Sequence, residues 1–535
     1  MKNKIFILAL SSIFLSTVSC NDYLDVNESP DAIAIDQVTP NFIFPGAVSS
    51  THFIQARRLN AFAGITMNSY AGNVYSFGTP FVDEYAPNVT TAFYADIWDQ
   101  MFRSLGNFQA ILDYNDPTGQ YTQYKAMSMI MKAYYVQTLT DLWGDMPYTE
   151  AFKRQLLLTP KYDKGEDIYK ASIADLETAI QLIDGKQGSN PGAADIVFKG
   201  TMANWTAFAN AVKLRYLVRM SNVTGELATY RTQKLATLQG AAFPAADVVV
   251  NPGYSSASDS KQNPFTNYFV VLSSGSRPTT GNQGFNLYVP SEHIALALNG
   301  NKKTLNGTDV SDSRDVYQKF NNIVDGRGGR IFTLINGKVE GVRQGASPGQ
   351  AGAETGRTVS RLGTGLILGS NATAVTVAAA SSKSGVLMSK AETEFLLAEA
   401  ALRYPANISG TAQSHFESGI TASYTYLGAT GSAAYITSIN AVPKLGWAGS
   451  DANKVEAIMT QKWIALTGIN PEQSYFDYTR TGFPITPVPV SSTQPLKPNR
   501  LIYPASEYAA NGANVPNMTA ADVFAKNSFT PFWAR

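Results

Sequence analysis

Residues 125–147 read KAMSMIMKAYYVQTLTDLWGDMP. Met127, Ile130, Met131, Tyr135, Leu139 and Leu142 recur at three- and four-residue steps, the spacing of one face of an α-helix. Gly144 and Pro147 then break the helix, so it is predicted to run over 121–142. Just upstream, Phe93, Ile97, Met101, Leu105, Phe108 and Leu112 form another such stripe and predict a partner over 91–114. Tyr169, Ile173, Leu176, Ile180 and Ile183 predict a helix over 166–184. Trp205, Phe208, Ala209, Val212 and Tyr216 predict its partner over 201–221. Helices that come in pairs of this length point to a mostly α fold, a solenoid of the tetratricopeptide kind. Such helices cover one another's apolar faces and leave a curved surface for a partner.

Outward from this frame the pattern changes. Residues 225–300 carry the strand-like run Asp247-Val248-Val249-Val250 and the turn Asn251-Pro252-Gly253. Residues 325–385 are rich in Gly, Ala, Ser and Thr, punctuated by Arg327, Arg330, Arg343, Arg357 and Arg361. We read long loops with short strands here, where binding residues concentrate on a rigid scaffold. Helices return at Ser389-Lys390-Ala391-Glu392, which fits a capping box. Partner helices are predicted over 411–427 and 451–467, the latter with Val455, Ile458, Met459, Trp463 and Leu466 on one side. After Pro484 the chain is rich in Pro and Asn and is predicted to be an irregular wrap.

Composition removes several classes of function. Hydrophobic residues make up 44% and charged residues 16%, so the 535 residues can bury a large core. A net charge of +1 gives no global attraction to nucleic acid. Cys20 is the single cysteine, and His52, His293 and His415 are the only histidines. No disulfide can form within the chain, and no Cys/His zinc cluster is supported. A papain-like pair would have to use Cys20. No Asp-rich loop stands out, so the sequence names no metal ligand and does not decide whether calcium is bound, and no cofactor is predicted. The 27 Tyr and 27 Phe offer flat apolar faces suited to sugars, although most rings of this kind fill cores.

The N-terminus predicts the compartment. Lys2 and Lys4 precede a mostly apolar run from Ile5 to Val18, the length of a signal h-region and short for a bilayer span. Ser19 then precedes Cys20. The expectation is a lipoprotein signal over 1–19, cut before a lipid-bearing Cys20, with Thr17 departing from the usual Leu of that motif. Asp22, Asp25, Glu28 and Asp31 follow in an extended tether. No later stretch approaches 18 uninterrupted apolar residues.

Several blocks, in order along the chain, carry a resemblance. They are Asp141-Leu142-Trp143-Gly144-Asp145-Met146-Pro147-Tyr148, Pro160-Lys161-Tyr162-Asp163, Glu166-Asp167-Ile168-Tyr169, and Asn204-Trp205 with Ala209 to Arg215. Ala391-Glu392 with Phe395 to Ala400, Gln461 to Leu466, Asp477 to Pro484, and Arg500 to Pro504 with Glu507-Tyr508 complete the set. The chain resembles the SusD/RagB family of outer-membrane nutrient-binding lipoproteins, in its SusD-like branch. The resemblance implies four tetratricopeptide-like helix pairs in a right-handed superhelical scaffold, with a variable region packed against it. The scaffold is expected over about 90–225 and 388–485, the variable ligand-side region over about 40–90 and 226–387, and the wrap over 485–535. It also implies a non-catalytic protein on the cell surface that caps a SusC-like TonB-dependent outer-membrane transporter and hands it oligosaccharides, or peptides in some members.

Sugar sites pair a stacking ring with polar groups that read hydroxyls. Two loop stretches offer both, and the candidate ligand-binding residues are Tyr70, Asn73, Tyr75 and Phe77 in the first and Arg277, Asn282, Phe285 and Tyr288 in the second, with Tyr268 shortly before it. No catalytic residue is predicted. Asp141, Trp143 and Asp145 are read as a structural turn, Glu392, Glu394 and Glu399 as caps and bridges between helices, and Arg480 as an anchor for the C-terminal wrap. A lipid-anchored glycoside hydrolase is the competing class, and it requires two carboxylates about 5–10 Å apart across a cleft. A purely structural solenoid adaptor is a further alternative.

Overall fold

The computed structural model describes residues 38–153, 156–275, 284–305, 308–368 and 376–535; Cys20, Arg277 and Asn282 lie outside them. The chain from Pro40 to Arg535 packs as one unit. It opens with α1 (Pro40–Ile54), which runs through a π-turn at Gln55–Leu59 into α2 (Asn60–Thr66) and strand β1 (Tyr70–Gly72). The predicted pairs follow as α3 (Ala95–Asp113) with α4 (Thr122–Trp143), and α5 (Gly165–Asp184) with α6 (Met202–Arg219). The middle holds β2 (Val248–Val250), α7 (Pro264–Phe269), β3 (Tyr288–Pro290), β4 (Lys302–Leu305), β5 (Thr308–Ser311) and β6 (Gly385–Met388). Two further pairs close the frame: α8 (Lys390–Arg403) with α9 (Ala412–Leu427), and α10 (Asp451–Leu466) with α11 (Pro471–Thr481). Short helical turns between these are named by residue.

Strands pair only two by two, all antiparallel: β1 with β3, β2 with β6, and β4 with β5. The fold is therefore mostly α, with loops and short strands between two blocks of helix pairs. Residues 40–66 differ from the expectation of a variable ligand-side segment. They are helical and pack mainly against α3 and α4, with Phe44 ringed edge-on by Phe108, Tyr124 and Trp205, while Phe53 and Arg57 of the same segment stay partly exposed. Pro45 and Gly46 inside α1 blur its helical signature in the sequence.

Buried charge locks the frame. Arg480 on α11 grips Glu399 of α8 through both Nη atoms, at 2.6 and 2.7 Å, and reaches Ser221 Oγ at 2.7 Å. Asp477 is shared by Arg480 (3.2 Å), Arg219 (3.2 Å) and Lys462 (2.8 Å), and these cations hold its carboxyl well below the usual range despite burial. Arg480 thus ties α11 to α8 and the end of α6; it does not anchor the C-terminal wrap. That task falls to α4, where Leu142 O accepts from Leu501 N at 2.7 Å and Trp143 Nε1 donates to Ile502 O at 2.9 Å. Gly144 caps α4 at φ +74°, and a Cβ there would sit 3.1 Å from Arg500 Nη1.

The other structural readings divide. Asp141 is buried against Arg219 (3.3 Å) and the Tyr169 hydroxyl, and Asp145 accepts from Gly165 N at 2.9 Å to start α5. Ser389 caps α8 by accepting from Glu392 N at 3.0 Å. Glu392 does not reach back to complete a box; its carboxylate meets Arg215 (3.5 Å) and Asn470 (3.2 Å), bridging helices instead.

Candidate ligand-binding face

The β1–β3 ladder brings together the two loop stretches singled out in the sequence, with Tyr70 opposite Pro290 and Gly72 opposite Tyr288. Asn73 N extends the ladder by donating to Leu287 O at 2.9 Å. Rings converge on this ladder. Tyr70 and Tyr288 meet edge-on at 5.7 Å, and Phe269 lies 4.9 Å from Tyr288 and 4.8 Å from Tyr268. Helix α7 supplies Tyr268 and Phe269 because Asn263 caps it, accepting from Thr266 N at 3.1 Å, with Pro264 at its first position.

Burial divides the predicted residues. Tyr70 is 0% exposed, and Tyr268 and Tyr288 are each 4% exposed, so these rings form the heart of the cluster and show no face to solvent. Burial and the neighbouring Tyr268 phenol push the Tyr288 hydroxyl well above its ordinary pKa. Asn73 is also interior. Its Nδ2 donates to Ser76 Oγ and to Asn286 O, both at 2.9 Å, and its Oδ1 accepts from Tyr75 N at 3.2 Å. That amide pins the loop, and both of its N–H donors are spent within the chain. For Tyr70, Asn73 and Tyr288 the β1–β3 ladder turns the side chains into the packing, and for Tyr268 the inward face of α7 does so.

Tyr75, Phe77 and Phe285 remain partly exposed. Tyr75 packs on a small cluster of Ala71, Val74, Val289, Val342, Ala346, Ala353 and Val359. Burial raises its phenol, and the Arg357 guanidinium opposes that shift. The hydroxyl is enclosed without a hydrogen-bond partner. Four rim residues escaped the sequence reading. Phe81 is half-buried and lies tilted at 5.0 Å from Tyr288, and Phe265 is half-buried at 4.8 Å from Phe269. Arg57 lies over the Tyr268 ring at 4.9 Å and over Phe53, itself 41% exposed, at 4.3 Å. The four-residue spacing of Phe265 and Phe269 after Asn263-Pro264 was the available signal for one of them. Phe81 carried none, since its position depends on a left-handed backbone at φ +57°.

The loop bearing this rim is braced. Tyr85 Oη accepts from Gly72 N at 2.7 Å, and Tyr94 donates to Glu84 at 2.9 Å. Arg58 holds Asp96 in a two-pronged contact at 2.6 and 3.0 Å. The buried aromatic base therefore carries partly exposed rings, Phe81 on Tyr288 and Phe265 on Phe269, with Arg57 bridging Tyr268 to Phe53. Such a face can stack on the apolar side of a pyranose and hydrogen-bond its hydroxyls. Among the described residues, no group of three His, Cys, Asp or Glu side chains could hold a metal ion, and no helix is long and apolar enough to cross a membrane.

A profile of the SusD-like family described as starch-binding and associating with the outer membrane matches residues 35–276 and 288–504. No curated protein matches the sequence. Solved structures share the fold. A chitin-binding SusD homologue from Flavobacterium johnsoniae is 21% identical, with a TM-score of 0.67 over 92% of this chain and 98% of that one. A SusD homologue from Bacteroides uniformis is 20% identical, with a TM-score of 0.67 over 92% and 99%. A SusD-like protein from Bacteroides thetaiotaomicron is 21% identical, with a TM-score of 0.61 over 88% and 94%.

Proposed function

This chain belongs to the SusD-like family of outer-membrane-associated proteins, and from that membership we propose that it binds oligosaccharides at the cell surface without transforming them. The observation that carries the reading is the phenyl rim, Phe53, Phe81 and Phe265, standing on a buried and braced aromatic cluster. Pre-organised rings cost little entropy on binding, so stacking energy goes into affinity. A structural relative that binds chitin supports a neutral polysaccharide fragment as the ligand class.

The finer role follows the same reading. Cys20 carries lipid after cleavage of residues 1–19, and the anchored protein passes its ligand to a SusC-like TonB-dependent transporter. The family's association with the outer membrane supports this arrangement. Calorimetric titration of the purified chain with chitin and starch oligosaccharides tests the binding role. Saturable binding that weakens in Phe81→Ala and Phe265→Ala supports it. A folded protein that binds peptides and no saccharide overturns it. For the anchor, Cys20→Ser should abolish labelling by radioactive palmitate in cells.

A further inference from the structure

A second recess lies away from the phenyl rim, between the β2–β6 ladder and the outer side of α9, and encloses about 1010 Å3. That volume is at the upper end of what small-ligand pockets use. Its walls mix charge and apolar surface: Asp247, Lys383, Lys390, Glu417 and Tyr426 all line it. The carboxylates and the ammoniums differ in how they are satisfied. Asp247 accepts from Lys390 N at 2.8 Å. Glu417 Oε1 accepts from Gln413 at 2.9 Å and from Asn440 at 2.7 Å. Among the described residues, neither Lys383 nor Lys390 has a carboxylate oxygen within ion-pair distance, although Asp247 lies near enough to act on Lys383 through its charge. Lys383 meets only the Leu366 carbonyl and the face of Tyr426, 4.8 Å from the ring centroid. An ammonium has three donors, and neither lysine here spends them on an anion of this chain.

We propose that this recess is a second saccharide site that takes an oligosaccharide bearing a carboxylate, with Lys383 and Lys390 as its counter-ions and Tyr426 as part of its apolar wall. The site does not depend on the phenyl rim's being the neutral-sugar site. Its charge balance makes it pH-sensitive. Burial lowers the Lys383 amine to about 7, with Asp247 pulling the other way. The groups facing it are Asp247 from the β2 side, Lys390 from α8 and Glu417 from α9. Below that pH Lys383 is charged and holds the anion; above it the attraction fades.

Tetragalacturonate and its fully methyl-esterified counterpart have the same sugar backbone and differ in charge, and titration of the full chain with both is the test. The acid should bind at least about tenfold more tightly than the ester at pH 6, the scale of one well-placed charge contact. Its affinity should fall about tenfold between pH 6 and pH 8, one decade per unit beyond the amine's pKa. Lys383→Gln should remove that pH dependence. Lys390→Gln, on a more accessible side chain, should weaken the acid and leave neutral oligosaccharides unaffected. Equal binding of acid and ester, or no binding of either, overturns the proposal. So does unchanged acid binding in both variants. Loss of neutral-sugar binding alone would count against the phenyl rim and not against this recess.

Discussion

Tyr70, Tyr288, Phe81 and Phe265 are all aromatic, yet only two of the four can touch a ligand. Tyr70 and Tyr288 hold up the cluster from within, whereas Phe81 and Phe265 present partly open faces. Replacing each by Ala should separate the two roles. Phe81→Ala or Phe265→Ala should weaken oligosaccharide binding about tenfold, near 1–1.5 kcal/mol of stacking, with a small change in Tm. Tyr288→Ala should cost about 3–5 kcal/mol of stability by leaving a cavity, read as a lower denaturant midpoint. Residue type was legible in the sequence and exposure was not. A three-residue strand paired across more than 200 positions decides which way Tyr70 and Asn73 point, and no local pattern encodes that partner. Glu472 makes a second prediction at this scale. Burial, helped by the nearby Glu392 charge, pushes its carboxyl up to about 8. An acid raised on folding stabilises most at low pH, and that contribution is lost as pH climbs from the ordinary carboxylate range through 8. Relative to Glu472→Gln, the native chain should therefore lose thermal stability from pH 5 to pH 8.5, read as the difference between the two Tm profiles, which cancels the opposing contribution of the buried Lys383 and Lys497 amines.

Among the elements, the long helices followed their apolar stripes closely. The helix predicted over 166–184 is found at Gly165–Asp184, and the one over 451–467 at Asp451–Leu466. α5 is amphipathic, and α10, buried along most of its length, starts at the Ser450 cap, which accepts from Asn453 N at 3.4 Å, so short-range rules suffice. α1 and α2 were less legible because Pro45, Gly46 and a π-turn interrupt the period and because burial surrounds α2. What binds elements together is partly electrostatic. Arg480→Met would take the two-pronged partner from buried Glu399, leaving it Arg403, and remove one of the three cations on Asp477; the expected loss is about 3 kcal/mol, measured by urea unfolding. The seam between β3 and α7 is set by close approach. A Cβ on Gly284 would fall 2.0 Å from the Tyr268 carbonyl oxygen and 2.6 Å from Phe269 Cα. Gly284→Ala should thus shift the aromatic cluster and weaken sugar binding while far-UV circular dichroism of the helical frame stays unchanged.

Across the whole molecule, two blocks of helix pairs act as a frame on which loops are displayed. The frame is fixed by buried apolar stripes and by the Arg480, Asp477 and Arg219 network, none of which faces a ligand. The open rings and the two lysines sit at helix ends, in a short helix and in loops: Phe53 near the end of α1, Phe81 in a loop, Phe265 on α7, Lys383 before β6 and Lys390 at the start of α8. This division explains why family membership was readable from blocks such as Asp141 to Tyr148, which lie at helix ends. It also explains why ligand identity was not readable, since the rim is assembled from residues 53, 81 and 265, on three separate segments. The most direct test of capture without chemistry is equilibrium binding to chitin and starch oligosaccharides, followed by mass analysis of the recovered sugar. The account predicts saturable binding to at least one of them, with every chain returned at its original length. Shortened sugars produced by the purified protein, or a folded protein that retains no saccharide, would contradict it.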